Sequence, residues 1–550
     1  MTNRIKFLIA AFVLTTGIAY AQPDDGSLGS EEVEVVKNFE AKLMEAEKLS
    51  IPPVLPELNA EIQPQQYFIA TKDLAVDYDA PRIRPLSMRG EELPDNYKGY
   101  VKFGGGLPLG LFAEAGYFTY DKSENFRLGL DFDHYNANND ANVENQRFAN
   151  TGAHLKGAYY ADEGFAVESN LGFRRDVFHF YGYNFDGSGL ENVLQENVRQ
   201  EFNTFDFDAT VFNSARTVAD FDYKAGVEFY NRNDNYGARE NAFALNLGGA
   251  KWLNDQHELS LDIISDFTNY RDTTEQSLNN FYLQPAFTFH HERFKIKAGV
   301  NVVWHENEAF IFPNATAEAN IIDTRLQGFL GAEGTLDKNS FRKLTDYNPY
   351  ILTRFPAFQL ENTRVNHYFG GVKGAFSIFD YQAQLGYQDA ENLPLYLTDP
   401  DARTAARRFD VLFDNVNTWN FQASATAAVL SNLEVLAAVN TNVYDLETQE
   451  KAWGLPAVTI NGAVIHTTLD DKLQLRGDLF LQDGIPFQED DGTVVTLNRL
   501  LDVSLGAEYA VNKNFGAWLR LNNIANSRYE RWQNYPTLGI NVLAGIAAKF

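Results

Sequence analysis

The chain has 550 residues, no cysteine and a net charge of −28, from 74 acidic and 46 basic side chains. Without cysteine there is no disulfide framework, no thiolate metal site and no lipid-anchored amino-terminal Cys. The acid is spread along the chain, which argues against a nucleic-acid partner with its need for clustered Lys and Arg, and fits solvated loops and a hydrated lumen.

The first residues read as a secretory signal. Arg4 and Lys6 are its positive start, Phe7 to Ile18 its apolar stretch, and Ala19-Tyr20-Ala21 a small-residue cleavage site that leaves Gln22 first. No other apolar run approaches the roughly 20 residues of a transmembrane helix. Residues 22–50 are polar and acidic. Val36, Phe39, Leu43 and Ala46 share a helical face within Glu31–Leu49, with Ser30 as a cap. Between residues 51 and 96, Pro52, Pro53, Pro56, Pro64, Pro81 and Pro85 favour extended chain. Residues 22–96 are expected to form a short helical and extended segment, periplasmic or luminal.

From residue 97 the pattern changes to strand and turn. Phe126, Leu128, Leu130 and Phe132 alternate with Arg127, Gly129, Asp131 and Asp133. Phe294, Ile296, Ala298, Val300 and Val302 alternate with Lys295, Lys297, Gly299 and Asn301. Leu475 and Leu479 oppose Arg476 and Asp478, while Leu519 and Leu521 oppose Arg520 and Asn522. The last strand sets Ile540, Val542, Ile546 and Phe550 on an apolar face against Asn541, Gly545 and Lys549. Charges recur in mid-strand on one face only. A wide barrel accounts for this, with lipid on one side and a hydrated lumen on the other. Aromatics reach 14%, which suits strands and interfacial girdles.

Connections alternate in length. Asp162–Gly164, Asn254–Gln256, Ser431–Asn432 and Asn512–Asn514 are short. Asn136–Asn150, Phe185–Asn197, Lys338–Asn362, Asp483–Leu497 and Asn526–Thr537 are long. Short periplasmic turns and long outer loops with an even strand number are the barrel rule. The expected fold is all-β: a transmembrane antiparallel β-barrel of about 22 strands (22–24) over residues 97–550. The count is least defined at Leu107–Leu109 and between Glu391 and Arg403.

The end of the chain resembles the carboxyl-terminal hairpin of TonB-dependent outer membrane receptors. The matching residues are Asn523, Ile524, Asn526, Tyr529, Tyr535, Pro536, Gly539, Gly545 and Phe550. The signal, proline-rich lead and barrel resemble the plug-less, receptor-like barrels of Bacteroidetes-type bacteria. The resemblance implies that Ile540, Val542, Ile546 and Phe550 form the signal read by the barrel-assembly machinery. The 75 residues from Gln22 to Asn96 are fewer than a receptor's plug. Glu32-Val33-Glu34-Val35-Val36 resembles a TonB box, which pairs with TonB by strand addition; the start of an ordinary amphipathic helix is the favoured reading of the same run.

No motif implies a cofactor or catalysis: there is no G-x-S-x-G elbow, and Gly104-Gly105-Gly106 lacks the Lys-Ser/Thr of a phosphate loop. Those glycines fit close packing or a bulge. His290 and His291 are adjacent, a poor chelating pair. The amide-rich Asn136–Asn145 and acidic Glu489–Gly492 lack the spacing of a calcium loop and read as solvated loops. Arg127, Lys295, Lys297, Arg476, Asp478 and Arg520 are expected in the lumen, setting permeant preference or pairing with one another. The expected function is transport or a channel in the cell outer membrane. The alternative is a scaffold barrel in an assembly, secretion or surface complex. The expected partners are the bilayer, the assembly machinery and TonB or another periplasmic or outer membrane protein.

Overall fold

The computed structural model describes residues 97–550 apart from 120–124, 186–192, 216, 355–357, 399–407 and 490. The cleavage site at Ala19, Ala21 and Gln22, the segment Glu32–Val36 and the expected helix Glu31–Leu49 lie outside the described residues.

Twenty-two antiparallel strands form one sheet that closes on itself. The first strand, Gly99–Leu107, pairs with the second, Leu109–Thr119, and with the last, Asn541–Lys549. Closure leaves no sheet edge along this seam, and lipid cannot satisfy an open one. The first of the two less-defined stretches resolves simply, and the second does so as far as Thr398. Pro108 makes a tight turn between the first two strands, and Phe379–Thr398 runs through Glu391 as one long strand.

One rim carries short turns such as Asn254–Gln256 and Ser377–Ile378. Both barrel ends lie there, with the amides of Lys98 and Gly99 donating to the Phe550 carbonyl at 2.8 and 2.9 Å. The long connections gather at the opposite rim. The expected loop Asn136–Asn150 is shorter than the sequence suggests, because strands Phe126–Asn138 and Arg147–Tyr160 extend their ladder up to Asn138 opposite Arg147. Within it, Asn139, Asn142, Asn145 and Gln146 spend their carboxamides on one another and on neighbouring loops.

The outer wall is apolar. Phe229 lies opposite Phe207 and Phe243, and Phe243 opposite Phe267, giving an aromatic row. Two residues nearer the long-loop rim, Asn231, Asn241 and Asn269 follow in the same register, with Asn231 donating to Asn241 at 2.8 Å. Such a change from rings to hydrogen-bonded amides fits the boundary between hydrocarbon and headgroups. Ile540, Ile546 and Phe550 are exposed on this outer face.

The seam explains the glycines. Gly104 and Gly545 sit opposite each other. A Cβ on Gly104 would lie 2.4 Å from the Ala544 carbonyl and 2.5 Å from the Trp518 ring. A Cβ on Gly545 would lie 2.0 Å from the Phe103 carbonyl. The first hairpin has no bulge, so close packing is the role of Gly104. Trp518 lies across the inner face, donating from its indole to the Ile546 carbonyl at 3.2 Å and packing with Leu543 and Ala547.

Candidate functional site

Inward positions form charge pairs that bridge across the wall. Lys102 meets Glu508 at 2.6 Å although two strands lie between theirs. Lys156 pairs with Asp131 and Lys224 with Asp262. Of the side chains picked out in the sequence, Arg476 and Asp478 bond to each other, at 2.7 Å at the closest. Arg127 lies over Tyr160 at 4.6 Å, and Arg520 over Phe112 at 5.2 Å. Lys295 and Lys297 stand towards the short-turn end of strand Phe294–His305. These six come from four strands and form no single cluster.

The side chains that do converge lie around one hairpin. Strand Leu326–Asn339 pairs with strand Glu308–Ile322 only from Asn314 opposite Glu333 downward. Above that point its backbone is held from the lumen side. The Asn301 carboxamide donates to the Gly334 carbonyl at 2.9 Å, and the Tyr282 hydroxyl to the Leu336 carbonyl at 3.0 Å. Asn301 belongs to a strand two places away, about 10 Å within a flat wall at the usual strand spacing. The bond therefore requires the upper half of Leu326–Asn339 to lean inward. Its partner strand, Glu361–Phe376, goes with it. Asn362 exchanges two 3.0 Å bonds with Asn280, and Leu360 and Phe358 both bond to Gln276.

The tip of this hairpin carries a helix, Phe341–Tyr347, started by Ser340, whose hydroxyl accepts from the Lys343 amide. The first-turn amides have no partner within the helix. The buried Glu240 carboxylate takes two of them, Phe341 at 2.7 Å and Arg342 at 3.0 Å, and also accepts from the Tyr230 hydroxyl at 2.8 Å. Further charge pairs fix the helix laterally: Arg342 with Asp206, Arg232 with Asp346 at 3.0 Å, and Lys338 with Asp266 at 2.6 Å. The partners come from four consecutive wall strands, between Arg199 and Arg271. The hairpin thus folds back into the upper lumen and lies along the inner wall.

Above it the long connections pack into an aromatic cap. Tyr535 is fully buried, stacked on Tyr350 at 3.9 Å and edge-on to Tyr181 at 5.1 Å. Trp532 contacts Phe409, Phe487 and Tyr396. The Pro536 carbonyl accepts from Gln146 at 2.8 Å and from Tyr181 at 2.9 Å. Burial raises the Tyr183 phenol above its ordinary value. Asn523, at φ 48, donates to the Ser527 and Leu538 carbonyls and shapes the connection that carries Tyr529, Trp532 and Tyr535. The terminal residues singled out in the sequence therefore organise both the cap and the seam.

The sequence reading missed Glu240, Arg232, Asp206 and Asp266, which alternation marks only as inward polar residues. Ser340 ahead of Phe341–Tyr347 was the one local signal, a helix cap inside a long connection.

No family profile matches the chain, and no curated protein matches it. Solved structures do. The ferripyoverdine receptor of the outer membrane of Pseudomonas aeruginosa aligns with TM-score 0.58 at 12% identity, over 84% of this chain and 72% of that one. The FrpB iron transporter from Neisseria meningitidis gives 0.64 at 11%, over 83% and 82%. The siderophore receptor PirA from Acinetobacter baumannii gives 0.63 at 9%, over 84% and 81%. The chain has the fold of these outer membrane receptor barrels. Its closed sheet and apolar outer wall place it in the cell outer membrane.

Proposed function

We propose that the protein is an outer membrane transport barrel whose solute passage is controlled by its own in-folded hairpin and aromatic cap. The observation that carries this reading is the Glu240-held hairpin tip, which places a helix and three ion-paired side chains, Lys338, Arg342 and Asp346, inside the upper lumen. A barrel that served only as a scaffold would need no such internal structure. The fold shared with an iron transporter, a ferripyoverdine receptor and a siderophore receptor supports a transport role. Glu32–Val36 is proposed as the segment that pairs with TonB, which would make passage energy-dependent. Ile540, Val542, Ile546 and Phe550 are proposed as the surface read by the assembly machinery. Arg127, Lys295, Lys297, Arg476, Asp478 and Arg520 are proposed to tune which solutes pass.

The test is liposome swelling with the full chain and with a variant in which residues 341–358 are replaced by a short Gly-Ser linker. Transport predicts slow swelling for the native chain and fast, size-limited swelling for the variant. If neither passes small sugars while both migrate as folded barrels, the transport reading is lost.

A further inference from the structure

The upper wall contains a gap with two matching sides. On one side is the edge of strand Glu308–Ile322 from Glu308 to Pro313, beside which no strand lies among the described residues. On the other is the in-folded segment Gly334–Asn339, whose edge towards that strand is likewise unpaired with any strand among the described residues. An open edge in a barrel wall is costly, because lipid cannot satisfy its amides and carbonyls. Ile311, in the middle of the edge, is 72% exposed.

The two segments are complementary in length and register. The existing ladder stops at Asn314 opposite Glu333. Continued without a shift, it sets Pro313 opposite Gly334, Ile311 opposite Leu336 and Glu308 opposite Asn339. Those last two residues are the first of one strand and the last of the other. Sidedness agrees as well. Leu330 is 63% exposed on the outer face, and the period of two carries Ala332, Gly334 and Leu336 to the same face. In the closed ladder Leu336 would therefore meet Ile311 in lipid. In the structure Leu336 is instead only 5% exposed, packed on the lumen side with Tyr282, Val303 and Phe312. Pro313, with no amide to donate, stands where the two arrangements diverge.

We propose that the edge Glu308–Pro313 is a docking site for this chain's own segment Gly334–Asn339, and that docking draws the hairpin out of the lumen and opens it. The inference rests on the transport reading. The two arrangements exchange one set of bonds for another. Outward movement forms a six-residue ladder and returns Leu336 to lipid. Inward movement forms the Asn301, Tyr282 and Glu240 bonds and the lateral ion pairs. Neither leaves the hairpin's backbone wholly unpartnered, as an exchange between two stable states requires.

The absence of native cysteine allows a clean test on the full chain in proteoliposomes. Ile311→Cys with Leu336→Cys would be directly opposite only in the docked ladder, within disulfide reach. Ala315→Cys with Ala332→Cys, opposite in the existing ladder, is the positive control for folding and oxidation. The expected result is that the test pair crosslinks on mild oxidation, more slowly than the control, and that crosslinking raises liposome permeability at least several-fold, reversed by reductant. A control that crosslinks while the test pair stays reduced overturns the proposal. So does a crosslink that leaves permeability unchanged. Either failure is separable from the transport reading, because the linker variant of residues 341–358 tests passage without requiring docking.

Discussion

Replacing Glu240 with alanine should release the hairpin tip while leaving the barrel intact. The carboxylate accepts three hydrogen bonds, from two helix amides and the Tyr230 hydroxyl. Only the two amide bonds tie the helix to the wall, and bonds to a charged group contribute about 1.5 kcal/mol each at the low end of their range, giving about 3 kcal/mol. Water reaches the helix amides once the tip leaves the wall, so the low end is the right choice. The opening equilibrium of the tip should then shift by roughly a hundredfold. Glu240→Gln keeps one acceptor oxygen but presents an NH2 group to the second amide, and should fall between the native chain and Glu240→Ala. Hydrogen exchange by mass spectrometry, on the barrel in detergent, reads this directly. Amides of Phe341–Tyr347 should lose protection in the order native, Gln, Ala, with the wall strands unchanged. Equal protection in all three would show that Glu240 does not hold the helix, and the energetic argument for the in-folded hairpin would fail.

Three other perturbations test separate parts of the molecule. Gly545→Ala puts a Cβ 2.0 Å from a backbone carbonyl. It should weaken seam closure by about 2 kcal/mol or more, the cost of an overpacked site, and lower the temperature at which the folded band is lost on electrophoresis. Tyr535→Ala removes the ring at the centre of the cap. It should cost the cap about 3 to 5 kcal/mol, as for a buried aromatic, and expose the long connections to protease at unchanged barrel yield. Deleting Phe550 should reduce the amount of folded barrel in the outer membrane, measured by fractionation, with no change in synthesis.

Much of the wall could be read in the sequence, because its period-2 alternation reflects one local cause, lipid outside and water inside. Leu475 against Arg476 or Phe294 against Lys295 carries that signal without help from distant residues. The candidate site could not be read the same way. Leu336 continues the outward alternation of Leu330, yet it lies inside, because the hairpin as a whole leans inward. That displacement depends on Asn301, Tyr282 and Glu240, which belong to other strands and carry no mark of their partner. The cap was hidden for a related reason. Tyr181, Tyr350 and Tyr535 are each unremarkable in a long connection, and only closure of the barrel brings them together. Residues matched in the terminal hairpin, such as Asn523 and Gly545, were legible as a pattern, but their structural work at the cap and seam was not.

The ties across the cap also impose an order in time. The Pro536 carbonyl accepts hydrogen bonds from Gln146 and Tyr181, so the connection Asn523–Ile540 anchors loops built from residues hundreds of positions earlier. A barrel still lacking its final hairpin would have Tyr181 and Tyr350 but not the ring that packs against both. The mouth of a nascent barrel would therefore stay unsealed until the seam strand Asn541–Lys549 is in place. Completion of the wall and closure of its mouth become a single late event, and an unfinished barrel would be distinguishable from a finished one by its leakiness.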